Sequence, residues 1–374
     1  MGIMVGLPSP SGSEKDLQLN FGKNMTVQVE MRAPYLPAEW HTQSGIQLTW
    51  PHAGTDWAYM LEEVQQCFIN IAQEIAKREL LLIVTPEPEK VKQQITATVN
   101  MNNVRFLQCA TNDTWARDHG AITMIDTGTP SLLDFAFNGW GLKYASELDN
   151  QITRQAVETG ALNGQYVNRL DFILEGGSIE SDGMGTLLTT SECLLSSNRN
   201  ERLNQVEIED YLKSVFHLQQ VLWLDHGYLA GDDTDSHIDT LARFCSTDTI
   251  AYVKCEDKED EHYGALHAME EQLKTFRTLA GAPYRLLALP MADKIEEDGE
   301  RLPATYANFL ILNDAILYPT YNQPQNDKKA GEVLQQAFPG RQIVGIDCRA
   351  LIKQHGSLHL SLIHISEPTR LLSI

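Results

Sequence analysis

The stretch Gly231-Asp-Asp-Thr-Asp-Ser-His-Ile-Asp-Thr-Leu-Ala-Arg-Phe244 places four carboxylates and one histidine within nine residues, then turns into an alternating apolar run. His237 and Asp239 are two residues apart, so in an extended segment their side chains project to the same face. A histidine beside a carboxylate on one face sets an acid/base group next to a cation clamp. The stretch also reads as a solvated acidic loop in which His237 is simply hydrogen-bonded. A divalent-metal reading exists as well, because Asp232, Asp233 and Asp235 are hard oxygen donors. Their spacing is not that of a calcium loop, and no other His/Asp/Glu cluster has ligand spacing, so no metal or other cofactor is expected.

Working outward, 238–244 and 249–254 read as a hairpin around Ser246-Thr-Asp248. The same alternation of strand pairs and single helices runs along the chain. The segment 46–50 alternates like a strand, and Thr55 or Asp56 can cap a helix over 57–78. Strands are expected at 80–85, 104–109, 121–125 and 132–137, then a helix at 145–162. The run 172–174 enters Glu175-Gly-Gly, and 179–180 with 186–190 gives another hairpin signal. Helices at 207–217 and 262–279 precede strands at 221–224 and 285–289. The runs 309–312 and 315–319, turning at Asn313-Asp314, precede a helix at 328–338 and a strand at 342–346. No linker composition separates these elements. They make about five α/β units of ββαβ type, a repeat signature of structure rather than of sequence. The expected organisation is a loose polar arm over 1–25, one domain over 26–360 and a separate tail over 361–374.

A formal charge of −21 argues against nucleic acid and anionic membranes, whose phosphates need clustered Lys and Arg. It suits a small cationic ligand and equally suits plain solubility. Six scattered cysteines without a CxxC pair read as reduced thiols. The first residues lack the basic and apolar regions of a secretory signal, so a soluble cytoplasmic protein is expected. Oligomeric state is left open, a homo-oligomer included.

Two further motifs carry chemistry. In Asn112-Asp-Thr-Trp-Ala-Arg-Asp-His-Gly120, Trp115 and Asp118 are three apart and Arg117 is available to pair with a carboxylate. In Leu174-Glu-Gly-Gly177, Gly176 and Gly177 permit close approach of a ligand or an unusual backbone angle. Alone, each is also an ordinary loop or turn. Together with the opening stretch they suggest one cationic pocket. Asp118 and Asp239 could each accept two N–H groups of a planar guanidinium, with His237 protonating the leaving amine and then activating water. A nucleophile for the central carbon is missing; a thiolate suits that task.

These three stretches, with Pro37-Ala-Glu-Trp40 and Thr49-Trp-Pro51 upstream, resemble the agmatine deiminase family, also called the porphyromonas-type peptidylarginine deiminase family, over about 30–359. The resemblance implies the pentein fold, a five-bladed pseudo-symmetric α/β propeller with its site in the central channel. It implies that Asp118 and Asp239 hold the guanidinium and that His237 is the acid/base. Trp115 and Gly176 would line the pocket, Glu175 would support the guanidinium or the histidine, and Asp233 would meet the far amine of agmatine. The family's nucleophilic cysteine directly follows a histidine in a C-terminal Gly-rich loop. Here Gly356-Ser-Leu-His359 fits that approach, His359 counting among the substrate-binding positions, but the next residue is Leu360. The following Ser-Leu-Ile-His-Ile-Ser-Glu-Pro-Thr-Arg-Leu-Leu-Ser-Ile374 reads as translated sequencing-adapter sequence that replaces the final strand, leaving the last blade truncated. Cys348 and Cys245 read as small core residues rather than substitutes. The expectation is an agmatine deiminase scaffold that is inactive as written. The alternatives are a peptidylarginine deiminase, an amidinotransferase, or a non-catalytic binder of guanidinium or polyamine ligands.

Overall fold

The computed structural model describes residues 34–126 and 130–366; the arm expected over 1–25 lies outside them. The described residues fall in one compact unit of mixed α/β structure. Among them are five sheets of three or more strands, and a shared pattern organises each. Two strands pair antiparallel, as a hairpin in four of the five, and one of them pairs in parallel with a strand beyond a helical crossover.

The pattern is clearest in the sheet of Ala242–Ser246, Thr249–Lys254 and Arg285–Pro290, where Tyr263–Thr275 is the crossover helix. Ile122–Met124, Ser131–Ala136 and Gln165–Ile173 repeat it through the shorter helix Ile152–Glu158. Ile179–Ser181, Thr186–Thr190 and Gln220–Leu224 use the helix Gln205–Phe216. Leu310–Ile311, Ala315–Thr320 and Gln342–Asp347 use Pro324–Ala337.

The fifth sheet corrects the expectation of a truncated last unit. Leu362–Ser366 pairs antiparallel with Gln43–Thr49, which runs parallel to Leu80–Thr85 beyond the helix Leu61–Ala76; Val104–Gln108 adds a fourth strand. The segment read as foreign therefore completes the sheet that the first described strand begins. Its alternating Leu362, Ile363, His364 and Ile365 are all buried, and Leu362 lies opposite Leu48 in register. Residues 367–374 lie outside the described part.

Local sequence explains the elements. Val64, Phe68, Ile71, Ala72 and Ile75 recur at helical spacing, giving Leu61–Ala76 one buried face. Thr55 does not cap that helix through its side chain; a turn of 3-10 helix over Asp56–Met60 precedes it. Gln205–Phe216 starts with a full capping box between Asn204 and Glu207. Leu80–Thr85 is apolar up to Val84 because it is an inner strand with parallel neighbours, covered on both faces.

Candidate active site

Each sheet is entered through a short turn, and these turns meet one another. Ala116–His119 precedes Ile122–Met124, Gly176–Ser178 precedes Ile179–Ser181, Ile238–Leu241 precedes Ala242–Ser246 and His359–Ser361 precedes Leu362–Ser366. The residues before Leu310–Ile311 supply Asn308, whose side chain accepts from His359 N at 2.9 Å and donates to the Asp239 carbonyl at 3.3 Å. Equivalent positions of the repeats thus carry Asp118, Glu175, His237 with Asp239, and His359 with Leu360.

They converge over Gly177. A Cβ on that residue would lie 2.6 Å from His237 Nδ1, 2.9 Å from Asp118 Oδ1 and 3.0 Å from Leu360 Cδ2, so only glycine fits. Asp118 Oδ1 accepts from Gly177 N at 2.9 Å and lies 3.7 Å from His237 Nδ1. Asp239 Oδ2 is 2.6 Å from His359 Nδ1, whereas Asp239 Oδ1 and both ring nitrogens of His237 are buried without a hydrogen-bond partner among the described residues. Buried polar atoms are rarely left unpaired, so the His237 nitrogens beside Asp118 and the free oxygen of Asp239 point to a polar ligand.

Electrostatics agree with a cation there. Burial, then repulsion from Glu175, pushes the Asp118 carboxyl up to about 7. Asp239 is raised well above its ordinary value by burial and then by Asp118. A cation between them would offset the repulsion and favour the charged form of both carboxyls. His237 is pushed well below its ordinary value by burial and by Arg199 and Lys143, so it stands neutral and can accept a proton. Glu175 is raised by burial, only partly offset by Arg199, whose Nε lies 2.9 and 3.0 Å from its two oxygens.

Three details depart from the sequence reading. His237 and Asp239 do not share a strand: Ile238–Leu241 is one helical turn behind His237, following positive φ at Asp235 and Ser236. Gly176 packs against backbone, its Cβ position lying 2.2 Å from the Arg117 carbonyl oxygen, which leaves the pair Gly176–Gly177 serving different neighbours. His359 has both ring nitrogens engaged, Nδ1 with Asp239 and Nε2 with Glu39 Oε2 at 2.7 Å, so it orients Asp239. Asp233 accepts from the Tyr144 hydroxyl at 2.7 Å. Trp115 lines a cleft of about 400 Å³ together with Asp113, Trp140, Tyr144 and Asp149.

Beneath the site lies a buried ion network that sequence reasoning missed. Arg243 reaches Glu180 and Glu39, and its guanidinium sits 4.6 Å over the Phe309 ring. Burial alone would raise Glu39, but Arg243 and His359 outweigh it and hold its carboxyl well below the ordinary value. The signal was a lone arginine inside the apolar run 241–244. Two groups of side chains have metal-ligand proximity among the described residues, Glu39 with His359 and His364, and Glu175 with Cys193 and His237. Arg243 on the first and Arg199 on the second already supply positive charge, which opposes a divalent ion.

Cys193, given no role in the sequence reading, lies beside the site. Its sulfur lies within 4.8 Å of ligating atoms of Glu175 and His237. It is fully buried in a second apolar cluster with Leu187, Leu194 and Ile208, and burial pushes its thiol well above the ordinary value, with Arg199 opposing and Glu175 adding.

Residues 35–363 match the family described as Porphyromonas-type peptidyl-arginine deiminase. A solved Porphyromonas gingivalis protein, provisionally named an arginine deiminase, is 49% identical over 90% of this chain and 100% of its own, with a TM-score of 0.86. The C. jejuni agmatine deiminase, solved as a cysteine-to-serine variant with substrate bound, is 39% identical over 94% and 100%, with a TM-score of 0.83. A Legionella pneumophila (strain Paris) protein, provisionally named an agmatine deiminase, is 33% identical over 87% of this chain and 93% of its own. With a match that runs through every turn of the site, the chain belongs to the Porphyromonas-type peptidyl-arginine deiminase family, a family of guanidino-group hydrolases.

Proposed function

We propose that the chain carries an agmatine deiminase site, set in the central channel of a five-bladed pentein arrangement, in which position 360 is the place of the nucleophile. The observation that carries this is the set of unpaired buried atoms on Asp239 and on His237, whose ring meets Asp118 and Leu360 over Gly177. Asp118 and Asp239 would clamp the planar guanidinium. With a thiol at 360, sulfur would attack the guanidinium carbon while His237 takes the thiol proton and delivers it to the departing ammonia. Water would then add to the thiouronium carbon, His237 taking its proton, and the S–C bond would break to give N-carbamoylputrescine and the thiol. Leu360 has no atom that can do this, so the chain as written would bind and not turn over. The near-complete burial of Asp118, Glu175, His237 and Asp239 favours a small free substrate over an arginine in a peptide. A cytoplasmic setting belongs to the same reading, since all six cysteines are buried and unpaired.

The test is titration calorimetry with agmatine beside an ammonia assay. One-to-one binding with proton release and no ammonia is expected; absence of binding removes the reading. A second reading, with Cys193 as nucleophile, draws on its proximity to His237. Ammonia release that disappears in Cys193→Ser would establish it in place of the first.

A further inference from the structure

Trp140 has no part in the chemistry above, yet it touches it. Its indole N–H donates to Asp118 Oδ2 at 2.9 Å, opposite the Gly177 N–H on Oδ1. It lies in Asn138-Gly-Trp-Gly-Leu-Lys-Tyr144, where Gly139, Trp140, Gly141 and Leu142 have φ of 66°, 54°, 84° and 68°. Left-handed residues in succession, two of them not glycine, cost on the order of 1–3 kcal/mol each for the non-glycines and persist only where the surroundings impose them. The surroundings here do so. Asn138 Oδ1 accepts from Gly141 N at 2.9 Å, Lys143 pairs with Asp235 at 2.6 Å and the Tyr144 hydroxyl donates to Asp233 at 2.7 Å. The Trp140 ring packs edge-on against Phe137 at 5.0 Å and Trp115 at 6.1 Å. One side of Trp140 lines the cleft while its N–H reaches Asp118.

We infer that Trp140 is a positioning residue for guanidinium recognition, fixing the carboxylate plane of Asp118 so that its remaining lone pairs face the ligand. The inference rests on the guanidino reading above. A donor to a carboxylate also favours its charged form. Around Asp118, the charges of Asp239 and Glu175 oppose ionisation, Arg117 favours it and the His237 ring is neutral. Because the guanidinium keeps its charge, agmatine should bind the ionised carboxylate, and affinity should fall as pH drops through about 7.

Trp140→Phe keeps the ring and removes the donor. Calorimetry of agmatine binding across about pH 6–9 should show affinity at neutral pH lower by roughly tenfold or more, as for a hydrogen bond to a charged group. The midpoint of the pH profile should move up by about one unit. Unchanged affinity and midpoint in a variant that melts with the parent would overturn the proposal. If Trp140→Phe fails to fold, the indole N–H proton resonance of the parent serves instead. It should shift on adding agmatine, and a stationary signal overturns the proposal. Failure of the parent to bind agmatine sinks the guanidino reading, whereas normal parent binding with an indifferent Trp140→Phe sinks only the role of Trp140.

Discussion

Leu360→Cys is expected to release ammonia from agmatine far faster than the parent chain. The turn His359–Ser361 already holds the side chain of position 360 buried beside His237 and Asp118. A cysteine there would put sulfur where the isobutyl group now packs, next to a neutral imidazole able to take its proton. The acidic surroundings keep the free thiol protonated, and a bound guanidinium would reverse that local field, so substrate itself would favour the thiolate. Removing a nucleophile from a hydrolase costs up to about 10⁶-fold in rate, so restoring one should raise turnover by on the order of 10³-fold or more. The gain should vanish in Leu360→Cys combined with His237→Ala. A Leu360→Cys chain that folds, binds agmatine and still releases no ammonia would show that position 360 is not the nucleophile's place.

Arg243→Met is expected to destabilise the fold by about 3–5 kcal/mol, because it strands buried carboxylates without their counter-charge. Arg243 is fully buried and ties Glu180 to Glu39 while donating to the carbonyls of Ala307 and Phe309. These partners come from three other sheets or their entry turns, so one side chain joins elements far apart in the chain. Arg154→Ala, at the exposed 3.8 Å pair with Glu158, should cost less than about 0.5 kcal/mol. Chemical denaturation of both variants makes the comparison, and equal losses would contradict the account of the network.

Much of the scaffold was legible because it is local. Leu80–Thr85 is a continuous apolar run closed by Pro86, and its bounds were read correctly. The segment 238–241 was misread because Ile238 and Leu241 fit one helical turn as well as an alternating strand. Four residues cannot separate period 2 from period 3.6. The helix expected over 145–162 is shorter, Ile152–Glu158, since the residues before it are spent on turns and on bonds such as Asn150 to Phe137. The strand Leu362–Ser366 was dismissed for its apparent origin although its apolar run was in plain view; a sheet edge selects pattern and register, not provenance. In the site, the acid and histidine positions stood in recognisable stretches. Glu39 and Arg243 stood in such stretches without a legible role, and Trp140 stood outside them, because their meaning lies in partners 22 to 320 residues away.

The central claim is that a guanidinium lies between Asp118 and Asp239 with its carbon facing position 360. A crystal structure of the chain with agmatine bound tests it most directly. The account expects the guanidinium nitrogens within hydrogen-bond reach of both carboxylates and the carbon in van der Waals contact with the Leu360 side chain, about 4 Å away. A guanidinium carbon turned toward Cys193, or agmatine bound elsewhere, would contradict it.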